Sequence, residues 1–440
     1  MRHKGINHIF SVILIINLLA LSVLSGCSKP DVHSYDDAQQ NDKSSTEIGG
    51  VDPAKTIYLS GWLKKETTDN LMAFLAEKYP DYNFEYKYYG KQSYELVTDA
   101  QLSSKIASDI VMIDNTMIKK YAKAGYIVDL NEYKDAFKEK AVSTFSYGDH
   151  MYAIPSTSDV QCAYYNKKIL LESGENLPVT FDEYIEFCKH IYEKMGVRPL
   201  SAALKDWENS ANAAMVILAS TYFETEKGKN FGKRMAYGNA SFEKEIYPYL
   251  MEWEKLITNG IMTKEMCLMD DEAAMQEFAS GETFMFVGTF ENYNRIKEIN
   301  PDIKLGTSPL YTVSGSKPAL IGGCRNGFAV NAYSKKKDIA IEIVGLLATE
   351  EGQRALWADR MGSQTYMRGK IFNNPPDFDG IKPLVMVDSL YMPWTEWGEY
   401  SGEIYKRFGE ELQKVVLKEK GIKNAMKSVD AEIKHIYSGN

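Results

Sequence analysis

From Thr56 onward the chain alternates short β-type runs with stretches whose apolar residues recur every three or four positions. Thr56-Ile57-Tyr58-Leu59 predicts a strand, and Gly61-Trp62-Leu63-Lys64-Lys65 follows it. Leu71, Phe74 and Leu75 share one face of a helix that opens at Thr68 or Asp69, both good caps, and ends before Pro80. Asn83 to Tyr89 alternates as a strand. A second helix, from about Tyr94 to Ser104, leads into the apolar run at Ile110 to Ile113, and Asp114-Asn115-Thr116 opens a third that reaches Gly125. Strand–helix alternation predicts α/β architecture with parallel strands. Such sheets gather ligands at the carboxyl ends of their strands, which singles out Trp62 to Lys65 and Asp114 with Asn115. Asp114 fits a helix N-cap equally well.

Further along, Met151 to Asn166 is extended and β-rich, interrupted by a polar turn at Ser156 to Asp159 in which Asp159 suits the turn itself. An extended Pro178 then precedes a helix capped by Thr180 or Asp182. Lys205-Asp206-Trp207-Glu208-Asn209 sets an aromatic beside an acid on a loop. An indole can cover the apolar face of a pyranose while a carboxylate accepts from two hydroxyls; a buried structural Trp is the competing reading of Trp207. Tyr249, Trp253 and Leu256 align on a helix between Phe242 and Asn259, which places Trp253 in the core. In Lys317 to Arg354 an apolar run (Ala319 to Ile321) meets a Gly322-Gly323 turn, then an extended Gly327 to Val330. A helix with Ile339, Ile343, Leu346 and Leu347 on one face follows, closed at Glu350-Glu351-Gly352 by a glycine suited to a left-handed C-terminus.

With 440 residues the chain exceeds one ordinary core, so two domains or a bilobal body are expected. A formal charge of −9 argues against a nucleic-acid partner, which would need a basic face. The 29 Tyr, 18 Phe and 6 Trp could furnish a sugar-binding surface, although tyrosines also fill cores.

The N-terminus is of another kind. Arg2, His3 and Lys4 precede an apolar run from Ile9 to Leu24 that is shorter than the ~20 residues a membrane span needs, and Leu24-Ser25-Gly26-Cys27 ends it. This pattern predicts a secretory signal over 1–26. Leu-Ser-Gly-Cys resembles the bacterial lipobox, which implies that Cys27 is lipidated and that the protein sits on the outer face of the cell membrane. Residues 27–54, rich in Ser, Asp, Asn and Lys, predict a flexible tether.

Several landmarks together resemble the sugar-binding, maltose-binding type of extracellular solute-binding proteins. They are Tyr152-Ala153-Ile154-Pro155 with Tyr164-Tyr165-Asn166-Lys167, the Pro178 to Tyr184 segment, Gly281 to Phe290, and Lys317 to Arg354. The resemblance implies a bilobal, class II periplasmic-binding-protein-like α/β fold with a hinge. By analogy lobe 1 spans 55–156 and 320–362, and lobe 2 spans 157–319 and 363–440. It also implies a carbohydrate in the interlobe cleft, no cofactor, no reaction, a monomeric body, and delivery to the permease subunits of an ABC importer. The ligand-binding residues implied are Trp62, Lys64, Asp114, Asn115, Asp159, Trp207, Glu208, Phe290, Gly323, Arg325 and Trp394. Phe290 stands where the family carries a stacking Trp. Of the three-apart pair Trp394 and Trp397, the former is the one expected to meet ligand.

No H-E-x-x-H, P-loop, G-x-G-x-x-G or G-x-S-x-G motif occurs. Cys162, Cys188, Cys267 and Cys324 include no C-x-x-C pair, so zinc is not expected; they could form two disulfides or stay reduced. Two other classes fit parts of the pattern. Asp159 and Glu208 could be the acid and base of a glycoside hydrolase. A surface lipoprotein that binds peptide or protein ligands is the third.

Overall fold

The computed structural model describes residues 52–387, 390–398 and 400–438, with residue 92 described by its backbone alone. The expected signal sequence, Cys27 and nearly all of the tether lie outside the described residues. In chain order the strands used below are β1 (Thr56–Gly61), β2 (Asn83–Tyr88), β3 (Ile110–Ile113), β4 (Ile154–Pro155), β5 (Asp159–Asn166), β6 (Arg198–Ala202), β7 (Thr283–Thr289), β8 (Leu305–Ser308), β9 (Leu320–Gly323), β10 (Gly327–Val330) and β11 (Leu390–Tyr391). The helices used are α1 (Asp69–Lys78), α2 (Lys91–Ser103), α3 (Asn115–Lys123), α4 (Phe181–Met195), α5 (Trp207–Ser220), α6 (Lys337–Leu347), α7 (Glu350–Ala358) and α8 (Ser401–Val416).

Two sheets define two lobes. The first has the order β2-β1-β3-β10-β4. Its first three strands are parallel, as the alternation predicts, whereas β10 runs antiparallel to β3 and β4. The second sheet has the order β11-β9-β5-β7-β6, with β8 also on β5. Ile57, Leu59, Ile110 to Ile113 and Phe328 centre the first lobe's core. The second lobe packs apolar residues on both sides of its sheet, one cluster around α4, α5 and α8 and the other around Tyr164, Phe286 and Phe378. Trp253 is wholly buried, as its helical alignment predicts.

Local signals set the helix starts. Thr180 accepts from the Glu183 N–H while the Glu183 carboxylate accepts from the Thr180 N–H, a reciprocal capping box. At α1 Thr68 makes no side-chain cap; the free N–H groups of Asn70 and Leu71 donate instead to Asp359, just past α7. That cap comes from 289 residues away and could not be read locally.

The glycines of the Lys317 to Arg354 segment differ from their reading. Gly322 and Gly323 are residues of β9, not a turn. A Cβ on Gly322 would lie 2.2 Å from the Asp159 carbonyl oxygen, so glycine is required by the close approach of β9 to β5. Gly352 lies within α7, which Thr349 caps, and so does not end the preceding helix. The lobe boundaries shift accordingly. Leu320–Gly323 pairs with β5 and β11, so the chain re-enters the first lobe only after residue 323. It also stays there past 363, since Tyr366 packs in the first core and Met367 bridges to Phe137.

Candidate functional site

Between the lobes lie two adjoining chambers, of about 440 and 980 Å³. Lys91, Glu208 and Arg325 line both and form the partition between them. Each comes from a different place: Lys91 opens α2 in the first lobe, Glu208 is the second residue of α5 in the second, and Arg325 lies on the crossing between β9 and β10. Asp206 is the N-cap of α5 and accepts from the Glu208 N–H at 3.0 Å, which fixes the backbone turn that presents Trp207 and Glu208.

The Glu208 carboxylate is buried, yet it faces two cations, Lys91 Nζ at 2.5 Å and an Arg325 guanidinium nitrogen at 2.5 Å. Burial alone would raise its pKa; Arg325 and Lys91 outweigh that and hold it down to about 2. The Arg325 guanidinium lies over the Trp394 ring, 5.0 Å from its centroid. Asp159, at the start of β5, is 3.9 Å from Arg325 through one oxygen, while its Oδ1 has no hydrogen-bond partner.

Trp62, Lys64, Asp159, Glu208 and Arg325 line the smaller chamber. Trp62 meets Tyr94 edge-on at 5.2 Å. Asp114, Asn115, Trp207, Glu208, Arg325 and Trp394 line the larger one. Asp114 lines this chamber and also caps α3, accepting from Thr116 and Met117 as its N-cap reading expects. Asn115 donates across the cleft to the Trp394 carbonyl at 3.0 Å. Trp207 is partly buried against Tyr405, edge-on at 5.8 Å. Trp397 is wholly buried and donates to the Tyr391 hydroxyl.

Two expected residues do not line the chambers. Phe290 is only 1% exposed and packs edge-on against Phe378 in the second core, because β7 ends at Thr289 and the chain turns inward. Gly288 and Thr289 face the cavity in its place. Gly323 lies in β9 beneath Met392, whose sulfur would sit 2.2 Å from an added Cβ. Its role is to let that strand pass.

Sequence reasoning missed Lys91, Asp271, Arg295 and the Arg360–Glu291 pair, in which a buried guanidinium of the first lobe meets a carboxylate of the second at 3.1 Å. The strand-end rule that flagged Trp62 would have flagged Lys91, since it follows the end of β2. Arg360 and Glu291 carry no such signal. Cys162, Cys188 and Cys267 carry free thiols, and all four body cysteines are buried. Among the described residues no group of three acids, histidines or cysteines could hold a metal ion, and no helix is long and apolar enough to cross a membrane.

Two mixed α/β lobes with a polar and aromatic cleft at their crossings define the class of bilobal ligand-binding receptors. The family model described as "Bacterial extracellular solute-binding protein" matches residues 70–363, and the chain belongs to that family. It is 27% identical over 267 residues to the diacetylchitobiose binding protein DasA of Streptomyces coelicolor, covering 58% of this chain and 60% of that relative's length. Among solved structures, a family 1 extracellular solute-binding protein from Bifidobacterium longum subsp. infantis is similar at TM-score 0.65 and 21% identity, over 87% of this chain and 99% of that one. The protein RafE in complex with raffinose is similar at TM-score 0.73 and 20% identity, over 86% and 99%.

Proposed function

We propose that the protein is a carbohydrate receptor, anchored by lipid at Cys27 on the outer face of the cell membrane, that delivers a sugar or oligosaccharide to an ABC importer. The observation that carries this reading is the pairing of rings with carboxylates across the cleft. Trp62 stands in the first lobe and Trp207 and Trp394 in the second, with Asp114, Asp159 and Glu208 beside them. Indoles cover the C–H faces of pyranoses, and carboxylates and amides take the hydroxyls. The names of relatives that bind diacetylchitobiose and raffinose support the same ligand class. A ligand that touches both lobes favours the closed arrangement by its differential contacts, and a monomer with closed lobes is the form that docks on the permease.

Hydrolysis by Asp159 and Glu208 fits poorly. A general base must be free and basic enough to take a proton, and Glu208, the base of that reading, is engaged by two cations that hold it down to about 2. A thermal-shift panel of saccharides and peptides tests the proposal, with reducing ends followed in parallel. A saccharide present at a hundred times its dissociation constant should stabilise the fold by about 2.7 kcal/mol. Stabilisation by peptides alone, or release of reducing ends, would overturn it. Loss of membrane association in Cys27→Ala tests the anchor.

A further inference from the structure

The two chambers differ in charge. Eight acidic residues and four basic ones line the smaller chamber, against four acidic and six basic in the larger. The cations of the smaller chamber are already engaged. Lys91 and Arg325 pair with Glu208, and Arg295 pairs with Glu272 and Glu298 at 2.7 and 3.1 Å. Arg360, from behind the wall, takes Glu291. What is left is Lys64 against Glu66, Asp206 and Asp271, together with Asp159, which reaches Arg325 through one oxygen only, at 3.9 Å.

Asp159 marks the focus of that surplus. Its side chain is more than nine-tenths buried, it lines the chamber, and its Oδ1 has no hydrogen-bond partner. A buried carboxylate oxygen without a donor is costly, and a donor that a ligand brings to this wall of the chamber would relieve that cost. Hydroxyl groups can donate but leave the negative field uncancelled. An ammonium group donates and cancels it, and charge-assisted bonds of this kind are the stronger ones. At the rim the Asp271 carboxyl is pushed up, first by desolvation and then by its neighbour Asp206. With no metal-holding group among the described residues, the counter-charge fits an organic cation.

We propose that the smaller chamber receives a protonated amine, so that the preferred ligand is a saccharide bearing at least one free amino group, placed beside Asp159. The proposal rests on the carbohydrate reading above. The amine enters the acidic chamber, while the rest of the saccharide lies past the Lys91–Glu208–Arg325 partition or along Trp62.

Calorimetry at mildly acidic pH with glucosamine oligomers, their fully N-acetylated counterparts and neutral glucans of equal length tests this. The amine-bearing oligomer should bind at least about tenfold more tightly than either of the others. Added salt should shrink that preference, since it screens the charge pairing. Asp159→Asn should abolish the preference for the amine-bearing oligomer, so that the three oligomers bind alike at whatever lower affinity remains once that carboxylate's hydroxyl contacts are lost. Equal or tighter binding of the uncharged oligomers would overturn the amine proposal and leave the carbohydrate reading standing. Failure of every saccharide, with peptides bound, would overturn both. Should Asp159→Asn not fold, the wild-type comparison with its salt dependence, together with Asp271→Asn at the exposed rim, decides the matter.

Discussion

Lys91 in the first lobe and Glu208 in the second meet across the cleft, Nζ to Oε2, at 2.5 Å. The carboxylate is buried while the ammonium is 43% exposed, so the contact is half screened by solvent. An ion pair of that kind contributes up to about 1 kcal/mol, enough to bias an open–closed equilibrium but weak enough for a ligand to replace.

Lys91→Ala is therefore expected to lower unfolding stability by less than about 1 kcal/mol while shifting the unliganded protein toward an open form. Small-angle scattering reads the second effect as a larger radius of gyration. An unchanged radius would show that the pair follows closure without favouring it.

Glu208 is a different case, because Arg325 would remain behind it. Glu208→Gln leaves a largely buried guanidinium with its best partner neutralised, at an expected cost of about 2–4 kcal/mol in chemical denaturation. The same pair sets a pH dependence. With its folded pKa near 2, below the usual 4.5, Glu208 stabilises the fold fully above the ordinary carboxylate range. That stability is lost as pH falls from about 4.5 toward 2. Glu245 adds to the loss with the same sign: its burial is outweighed by Arg234, Tyr222 and Lys227, which hold it to about 2 as well. Glu208→Gln should flatten the acid limb of the stability curve and leave the part due to Glu245.

What the sequence disclosed about this site depended on how local each signal was. Asp206-Trp207-Glu208 reads as a loop but is a cap followed by the first turn of its own helix, so the residue types were legible there and the element was not. The ends of β1 and β3 were legible from apolar runs, which brought Trp62 and Asp114 into view. Lys91 acts through Glu208, 117 residues away, and Arg360 through Glu291, so neither pair has a local pattern. Phe290 is one residue past the end of its strand, at Thr289, where the chain turns into the second core, and the run of apolar residues does not mark where the strand stops. Gly322 and Gly323 were legible as special but not why, since glycine serves turns and close strand approaches alike.

The two tryptophans of the 391–397 segment should separate binding from folding. Trp394 lines the larger chamber beneath Arg325, and its indole nitrogen has no partner. Trp394→Ala is expected to weaken saccharide binding by about tenfold or more, with a modest fall in melting temperature. Trp397 is wholly buried among Phe231, Phe242, Tyr405 and Phe408. Trp397→Ala should cost about 3–5 kcal/mol of stability through the cavity it opens. Equal effects on melting would mean that Trp394 too is a core residue.

Gly322 couples the fold to the site most directly. Its φ is +150°, and a methyl group there would lie 2.2 Å from the Asp159 carbonyl oxygen and 2.6 Å from the Val160 Cα. Both obstacles are backbone, so no side chain can swing aside, and β9 must separate from β5 where Asp159 enters the cleft. Gly322→Ala is expected to destabilise the protein by about 1–3 kcal/mol and, in whatever fraction folds, to weaken ligand binding by displacing Asp159. Gly421→Ala is the matched control, since nothing lies within 4 Å of its added methyl. If the two variants melt together and bind alike, β9 does not hold Asp159 in place, and the position of that carboxylate must be set from the β4–β5 crossing alone.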